Sequence, residues 1–343
     1  MQQAKHILVI RFSAMGDVAM TVPVIKNVLQ QNPALQITVV SNAFFKPLFD
    51  GLERCHFHPA YLKEKHKGAA GMFRLYKELK AAHKFGAVAD LHNVLRSKLL
   101  RFFLKMNSLK AAAIDKGREE KKALTRKDNK MLKQLTPMHE RYAMVFRNIG
   151  VDVTLVHHQP VYKKQTPPAL LTEIFLSEKK IIGVAPFAQH KEKMYPIEKM
   201  KMVVQELAAS NNTILLFGGG AAEAAVLQQW EDEIPSVKNI AGKFSFAEEL
   251  AIISNLQLMI SMDSANMHLA SLYNVPVISI WGATHHYAGF YGWGQDEKNI
   301  VGINKLSCRP CSVFGNKPCF RGDHACMNWI EEKVIVERVM SVD

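Results

Sequence analysis

The chain has 343 residues, 48% of them hydrophobic, so its length and composition favour two domains with ordinary cores. Its 44 Lys and Arg against 31 Asp and Glu give a formal charge of +13, which indicates an anionic partner such as nucleic acid, an acidic membrane face or a phosphorylated substrate. No apolar run approaches the roughly 20 residues of a membrane-spanning helix, and no secretory signal is evident, so we expect a cytoplasmic protein.

The first half alternates strand-like and helix-like segments, which is the pattern of parallel β-α-β units. Dense charge predicts a mobile basic loop or a frayed helix over 116–134, and three prolines without a helical period mark 157–168 as a linker. In chain order the predicted strands are 6–13, 36–41, 86–92 and 111–115, and the predicted helices are 17–31, 72–84, 96–106 and 138–149.

The second half restarts the same alternation, which predicts a second doubly wound unit. We therefore expect an α/β protein with Rossmann-like domains at 1–160 and 161–343, a C-terminal helix that packs back on the first domain, and both sets of strand ends on a central cleft. The predicted strands are 181–187, 213–217, 237–241, 258–262 and 276–281, and the predicted helices are 196–210, 221–230, 246–254 and 264–273.

Three informative motifs fall where a strand leads into a helix. In VIRFSAMGDV, Asp17 is either a helix cap or a general base for a hydroxyl within hydrogen-bond reach. In SMDSANMHLA, the helix that follows Asp263 and Ser264 offers free N–H groups to a diphosphate, and His268 adds a donor unless it is structural. In APFAQHKEKMYP, Lys193 is either a solvated charge or a cation for a leaving diphosphate.

These segments resemble the ordered signatures of the heptosyltransferase family (glycosyltransferase family 9). The resemblance rests on ILVIRFSAMGDV, on K-x-Y-P and on DSANMHLASLYNVPVISIWGAT, supported by DLHNVLRS and the terminal cysteine block, so it runs over nearly the whole chain. It implies a GT-B arrangement in which an inverting enzyme transfers heptose from ADP-heptose to a lipid A/Kdo-type acceptor of lipopolysaccharide. It also implies that catalysis needs no metal.

The resemblance also implies roles for individual residues. Asp17 falls on the proposed general base and Lys193 on the lysine that stabilises the departing diphosphate. Two positions depart from the family pattern, because Ala265 stands where glycine is usual and Tyr195 where tryptophan is usual. The residues that fall on the donor-binding segment are Asp263, Ser264, Ala265 and His268, with Glu223 at the nucleotide ribose.

Four of the five cysteines are crowded into Cys-x2-Cys-x7-Cys-x6-Cys near the end of the chain. Thiolates at such spacing can close a tetrahedral zinc site, which would be structural because four sulfur ligands leave no open position. The alternative is a loop of reduced or loosely paired cysteines. The residues concerned are Cys308, Cys311, Cys319 and Cys326.

Basic residues are concentrated in the first half of the chain. The family resemblance predicts that they attract an anionic acceptor and the inner leaflet of the membrane, as a peripheral contact, with Arg96, Ser97 and Lys98 at the acceptor; the alternative is a solvated surface. The loop region and helix concerned hold His56, His58, Lys63, Lys65, His66, Lys67, Arg96, Lys98 and Arg101.

Two other functions fit the same pattern. A transferase of another sugar, or a nucleotide-sugar epimerase, could use the same scaffold, since a fold does not fix a function. A nucleic-acid-binding protein fits the charge, but the sequence has no recognisable nucleic-acid motif and no basic stripe interleaved with aromatic residues, so we expect no nucleic-acid partner.

Overall fold

A computed structural model describes residues 5–106, 109–157 and 159–342; His158, inside the predicted linker, lies outside the described residues. Helices and strands are numbered along the chain. Up to residue 157 the elements are β1 His6–Ile10, α1 Met15–Ala19, α2 Thr21–Gln31, β2 Gln36–Asn42, β3 Cys55–Ala60, α3 Gly68–Ala82, β4 Ala87–Asp90, α4 Leu95–Lys105, β5 Lys110–Ala113, α5 Arg118–Thr125 and α6 Met138–Asn148.

The remainder of the described chain has a similar alternation. Its elements are α7 Thr172–Leu176, β6 Ile181–Ala185, α8 Ile197–Ala209, β7 Thr213–Leu216, α9 Ala221–Glu233, β8 Val237–Asn239, α10 Phe246–Ser254, β9 Leu258–Met262, α11 Ala265–Leu272, β10 Val277–Ile280, β11 Ile300–Val301, α12 Ala325–Asn328 and α13 Glu332–Met340.

The chain forms two compact units, each built on one parallel sheet. The first sheet has the strand order β3-β2-β1-β4-β5 and the second β11-β10-β9-β6-β7-β8. Every strand pairing in both sheets is parallel. The α/β class with two doubly wound parallel sheets is therefore as predicted.

The central strands are buried along their length because helices cover both faces of a parallel sheet. In β9 all five residues are buried, and in β1 all but the first are. Such strands read as continuous apolar runs, which is why the sequence predicts their positions closely. The helices between them bury one apolar stripe each, as Met200, Val203, Val204 and Leu207 of α8 do.

The predicted helix 17–31 is two helices that divide at Met20. Pro23 has no N–H to donate to the carbonyl of Ala19, so a single continuous helix would lose that bond. Pro23 instead lies in the first turn of α2, where the backbone N–H groups have no partner within the helix.

The region of His56 and His58, predicted as a loop, is the strand β3. Among the described strands it pairs with β2 alone, at the edge of the first sheet. Edge strands tolerate proline and polar side chains. Because Pro59 and the two histidines interrupt the apolar alternation, the sequence pattern did not predict this strand.

The charged segment 116–134, predicted as a mobile loop or frayed helix of the first domain, contains the helix α5 and belongs largely to the second unit. Gly117–Leu135 joins the unit that continues from Tyr162, whereas the first unit ends at Lys116 and resumes over Thr136–Val161. Leu124 and Leu135 are buried against Ala288, and Lys130 donates to the carbonyls of Cys308 and Pro310 at 2.7 Å each. Those partners lie more than 150 residues away, so local charge could not indicate them.

The C-terminal helix α13 lies within the second unit, and its packing on the first domain stays a prediction. It packs against α8, and Ile335 and Val339 belong to the same buried cluster as Val203. Tyr195 is fully buried there and donates from its hydroxyl to the carbonyl of Ile330 at 3.0 Å. Tyrosine in place of the family's tryptophan is therefore a core residue that anchors the C-terminal segment.

Candidate active site

In both sheets the strand order reverses at one point, and open α/β sheets bind ligands beyond the carboxyl ends of the strands there. In the first sheet the reversal lies between β1 and β4, and in the second between β9 and β6. Asp17 follows β1, whereas Lys193 follows β6 and Asp263 follows β9. The structure thus places these three predicted residues at the ligand-binding edges of their own sheets.

Asp17, in the short helix α1, forms an ion pair with Arg11. One guanidinium nitrogen of Arg11 lies 2.7 Å from Oδ2 of Asp17, and the backbone N–H of Ala14 donates weakly to the same oxygen at 3.4 Å. Within the part of the chain that the structure describes, Oδ1 of Asp17 accepts no hydrogen bond. The half-buried carboxylate thus supports the start of α1 through one oxygen, and the other oxygen is not used in that support.

The Arg11 side chain is buried and held from several directions. Its Nη1 donates to the carbonyl of Leu91 at 2.8 Å, and its guanidinium carbon lies 5.9 Å from the centre of the buried Tyr142 ring. A guanidinium fixed in this way orients the carboxylate of Asp17. Sequence reasoning missed Arg11, although its position directly after β1 is a usable signal.

His92 lies next to this pair, just beyond the end of β4. The backbone N–H of Phe12 donates to its Nδ1 at 3.3 Å. Burial, reinforced by the positive charge of Arg11, lowers the pKa of His92 to about 3. The imidazole is therefore neutral near pH 7 with its proton on Nε2, which makes it a hydrogen-bond donor and not a cation. His92 was not predicted as a site residue, although it lies in the DLHN motif.

In the second unit, Lys193 and Asp263 form a largely buried ion pair with 3.0 Å between Nζ and Oδ2. Lys193 ends a short 3₁₀ turn after β6, and Asp263 follows β9. Because β6 and β9 are hydrogen-bonded neighbours, the sheet brings the two side chains together from positions 70 residues apart. The donor-site residues that the sequence predicts from two separate motifs therefore share one location.

Helix α11 begins beside this pair. Ser264 is its N-cap residue, and its hydroxyl lies 3.0 Å from that of Ser261. Ala265 is the first helical residue and does not have a positive φ, so the family's usual glycine is not required by backbone conformation. His268 lies further along the helix and is buried. The free N–H groups of the first turn give α11 an anion-binding end next to Lys193.

Glu223, the predicted ribose ligand, lies in the first turn of α9. Its Oε2 accepts a hydrogen bond of 2.7 Å from the backbone N–H of Gly219. The preceding Gly220 has φ +85°, a conformation that favours glycine. One carboxylate oxygen thus fixes the glycine-rich turn, and among the described residues the other oxygen accepts no hydrogen bond.

The three predicted acceptor-binding residues have different surroundings at the start of α4. Ser97 is fully buried and exchanges hydrogen bonds with the backbone of Val94 at 2.9 and 3.0 Å, so it supports the helix start and offers no surface to a ligand. Arg96 and Lys98 are exposed. Arg101 instead pairs with the buried Asp90 at 3.1 Å. The hydroxyl of Ser97 is thus engaged in capping the helix, and the acceptor-binding roles of the three residues stay predictions.

The four clustered cysteines line one small cavity together with Arg309, Arg321 and Glu192. All four are free thiols and half-buried, and burial with the neighbouring Cys311 raises the pKa of Cys326 to about 11. Among the described residues no three His, Cys, Asp or Glu side chains form an arrangement that could hold a metal ion. The zinc site remains a prediction, which metal analysis of the purified protein would test.

The cysteine block also packs against Lys193. Gly315 has φ +73°, and a Cβ atom added there would lie 2.3 Å from Cγ of Lys193. We expect Gly315→Ala to displace the lysine and weaken binding of a nucleoside diphosphate by about tenfold, measured by calorimetric titration with ADP.

Gly322→Ala is a matched control for this substitution. Gly322 has φ +78°, but a Cβ atom there would meet open space, so the variant carries similar backbone strain without contacting Lys193. Equal losses of ADP affinity in the two variants would contradict the role of Gly315 in packing Lys193.

A family model and several known proteins match this sequence. The model of glycosyltransferase family 9 (heptosyltransferase) matches residues 72–317. Lipopolysaccharide heptosyltransferase 3 of Escherichia coli is 46% identical over 54 residues, and lipooligosaccharide heptosyltransferase 2 of Campylobacter jejuni is 27% identical over 117 residues. The first alignment covers 16% of this chain and 16% of the relative, and the second covers 34% and 35%, so the chain matches only a minor part of either relative's length.

Solved structures are similar over almost the whole chain. The family 9 glycosyl transferase of Veillonella parvula has a TM-score of 0.76 at 17% identity and covers 98% of this chain and 97% of its own. Heptosyltransferase WaaC of Escherichia coli, solved with ADP, has a TM-score of 0.66 at 17% identity, covering 98% and 100%. At these identities the likeness shows the fold, which is the predicted GT-B class with two parallel-sheet domains. Because the family model spans most of the sequence, the chain belongs to glycosyltransferase family 9, the heptosyltransferase family.

Proposed function

We propose that the protein is an inverting glycosyltransferase that transfers heptose from ADP-heptose to the anionic inner core of lipopolysaccharide. The observation that carries the proposal is the Lys193–Asp263 pair beside the N-terminus of α11, at the reversal point of the second sheet. A cation and free N–H groups at one sheet edge suit a diphosphate. The solved relative that contains ADP, and the curated heptosyltransferases, support the identity of the donor.

The reaction assigns a separate task to each unit. Oδ1 of Asp17 accepts the proton of an acceptor hydroxyl while that oxygen bonds to the anomeric carbon of the sugar. The bond from the anomeric carbon to the diphosphate breaks, and ADP departs with the electron pair. Lys193 and the first turn of α11 stabilise the negative charge that develops on the diphosphate. Displacement on the face opposite the leaving group inverts the anomeric centre.

Four further assignments are part of the proposal. Glu223 binds the nucleotide ribose through its free carboxylate oxygen, and the protein groups stabilise the diphosphate without a catalytic metal. The acceptor is a lipid A/Kdo-type glycolipid, to which Arg96 and Lys98 are attracted as exposed cations. The enzyme acts in the cytoplasm at the inner face of the membrane. Among the described residues no helix is long and apolar enough to span a bilayer.

Calorimetric titration of the purified protein with ADP, UDP and GDP in the presence of a chelator tests the donor site. We expect selective binding of ADP, followed by heptose transfer from ADP-heptose to a deacylated Kdo-containing acceptor, detected by mass spectrometry. Preference for UDP or GDP would assign another nucleotide-sugar to the same scaffold, either in a transferase or in an epimerase. Binding to DNA without any nucleotide affinity would overturn the proposal.

A further inference from the structure

Helix α4 carries a row of apolar side chains on its exposed face. Leu95, Leu99, Phe102 and Met106 follow one another at spacings of four, three and four residues, which aligns them along one side of a helix. Leu95 is 83% exposed, Phe102 60% and Met106 72%, with only Leu99 partly covered. An amphipathic helix normally turns such a stripe towards the core, so its exposure requires an explanation.

The neighbouring helix α3 extends this apolar surface. The rings of Phe73 and Phe103 lie 5.3 Å apart, and the ring of Phe103 lies 5.9 Å from those of Tyr76 and Phe102. Phe73 is itself 43% exposed. The aromatic contacts therefore join the stripe on α4 to the outer side of α3, and we call the two together the α3–α4 face.

The charges around the α3–α4 face are almost all positive. Helix α4 contains no acidic residue, and the one acidic residue of α3, Glu78, is engaged by Lys65 and by His66 of the preceding loop. The ammonium group of Lys77 lies 4.9 Å from the centre of the Phe73 ring, so a cation accompanies the exposed aromatic directly. The exposed basic residues of the two helices are Arg74, Lys77, Lys80, Arg96, Lys98 and Lys105.

We propose that the α3–α4 face docks the protein on an anionic phospholipid bilayer. Aromatic, leucine and methionine side chains flanked by lysine and arginine suit the boundary between acyl chains and phosphate headgroups, where the apolar groups insert and the cations contact phosphate. If this face paired with the same face of a second copy, the two sets of cations would repel each other. Charge complementarity therefore favours an acidic membrane. The inference names the membrane contact of the proposed enzyme but does not depend on which sugar it transfers.

Vesicle flotation of the full chain tests this docking. We expect binding to phosphatidylcholine vesicles that contain phosphatidylglycerol, weak binding to pure phosphatidylcholine vesicles, and partial release at high salt. The double variant Leu95→Ser and Met106→Ser should lose about tenfold in vesicle affinity, since both side chains leave the lipid boundary. The double variant Lys77→Glu and Lys105→Glu should lose affinity for the acidic vesicles while keeping the apolar stripe.

The matched control is Leu170→Ser with Met340→Ser, which removes a leucine and a methionine that are 86% and 60% exposed in the second unit. This control should bind vesicles as the parent does, and all variants should keep the parent's ADP affinity. Unchanged vesicle binding by Leu95→Ser with Met106→Ser, or equal losses in the control, would overturn the proposal. Loss of a dimer in that variant, measured by sedimentation, would assign the face to a second copy instead.

Discussion

Replacing Asp17 by asparagine is expected to lower kcat by about 10²–10⁴-fold, because the amide oxygen cannot take the proton of the acceptor hydroxyl. The substitution is nearly isosteric and leaves the second unit untouched. Donor affinity, measured by calorimetry with ADP, should therefore stay close to that of the parent. Initial rates of heptose transfer at saturating donor give the change in kcat directly.

The contact of Asp17 with Arg11 makes a stability control necessary for this substitution. The guanidinium of Arg11 holds Oδ2 of Asp17, so Asp17→Asn also removes an ion pair, and thermal unfolding must be measured beside activity. Asp115→Asn is a suitable control, because Asp115 is a highly exposed carboxylate in the same unit and also faces an arginine, at 3.7 Å. If Asp17→Asn retains the parent's kcat, or if its loss is matched by Asp115→Asn, Asp17 is not the base.

Replacing Lys193 by methionine is expected to weaken both ADP binding and turnover, with kcat lower by about 10²–10³-fold. The ammonium group is the cation that the second unit places beside the N-terminus of α11. Its contribution should grow as charge develops on the leaving diphosphate. Calorimetric titration and single-turnover transfer assays measure the two effects separately.

The effect of Lys193→Met on stability must be measured separately from its effect on activity. Lys193→Met leaves the carboxylate of Asp263 largely buried without its partner, and breaking a buried pair costs on the order of 3–5 kcal/mol. Lys193→Met combined with Asp263→Asn removes both charges and should recover much of the thermal stability, whereas turnover should stay low. Lys191→Met, two residues away on an exposed side chain, should leave turnover unchanged. Full recovery of activity in the double variant would mean that Lys193 only neutralises Asp263.

The sequence predicted the class of fold and most of the residues that we propose for the site, because both predictions depend on local pattern. Continuous apolar runs such as β9 have to be buried on both faces, and the polar residues that follow them then fall at the strand ends. Asp17, Lys193 and Asp263 were found in this way, with the family resemblance supplying their roles. The reversal of strand order, which only the sheets reveal, places each of them at the ligand-binding edge of its own sheet.

The remaining features were decided by long-range packing. The pKa of His92 is lowered by burial and by the charge of Arg11, which lies 81 residues earlier in the sequence. The charged segment around Leu124 belongs to the second unit because Leu124 packs with Ala288, more than 150 residues away. Ser97 proved to be a buried cap, because its hydroxyl satisfies the first turn of α4. The periodicity of α4 itself predicts an apolar stripe but not what covers it. A helical pattern determines which residues share a face of the helix. Only the tertiary structure determines whether that face packs on the core or remains exposed, because burial depends on partners that the local sequence does not contain.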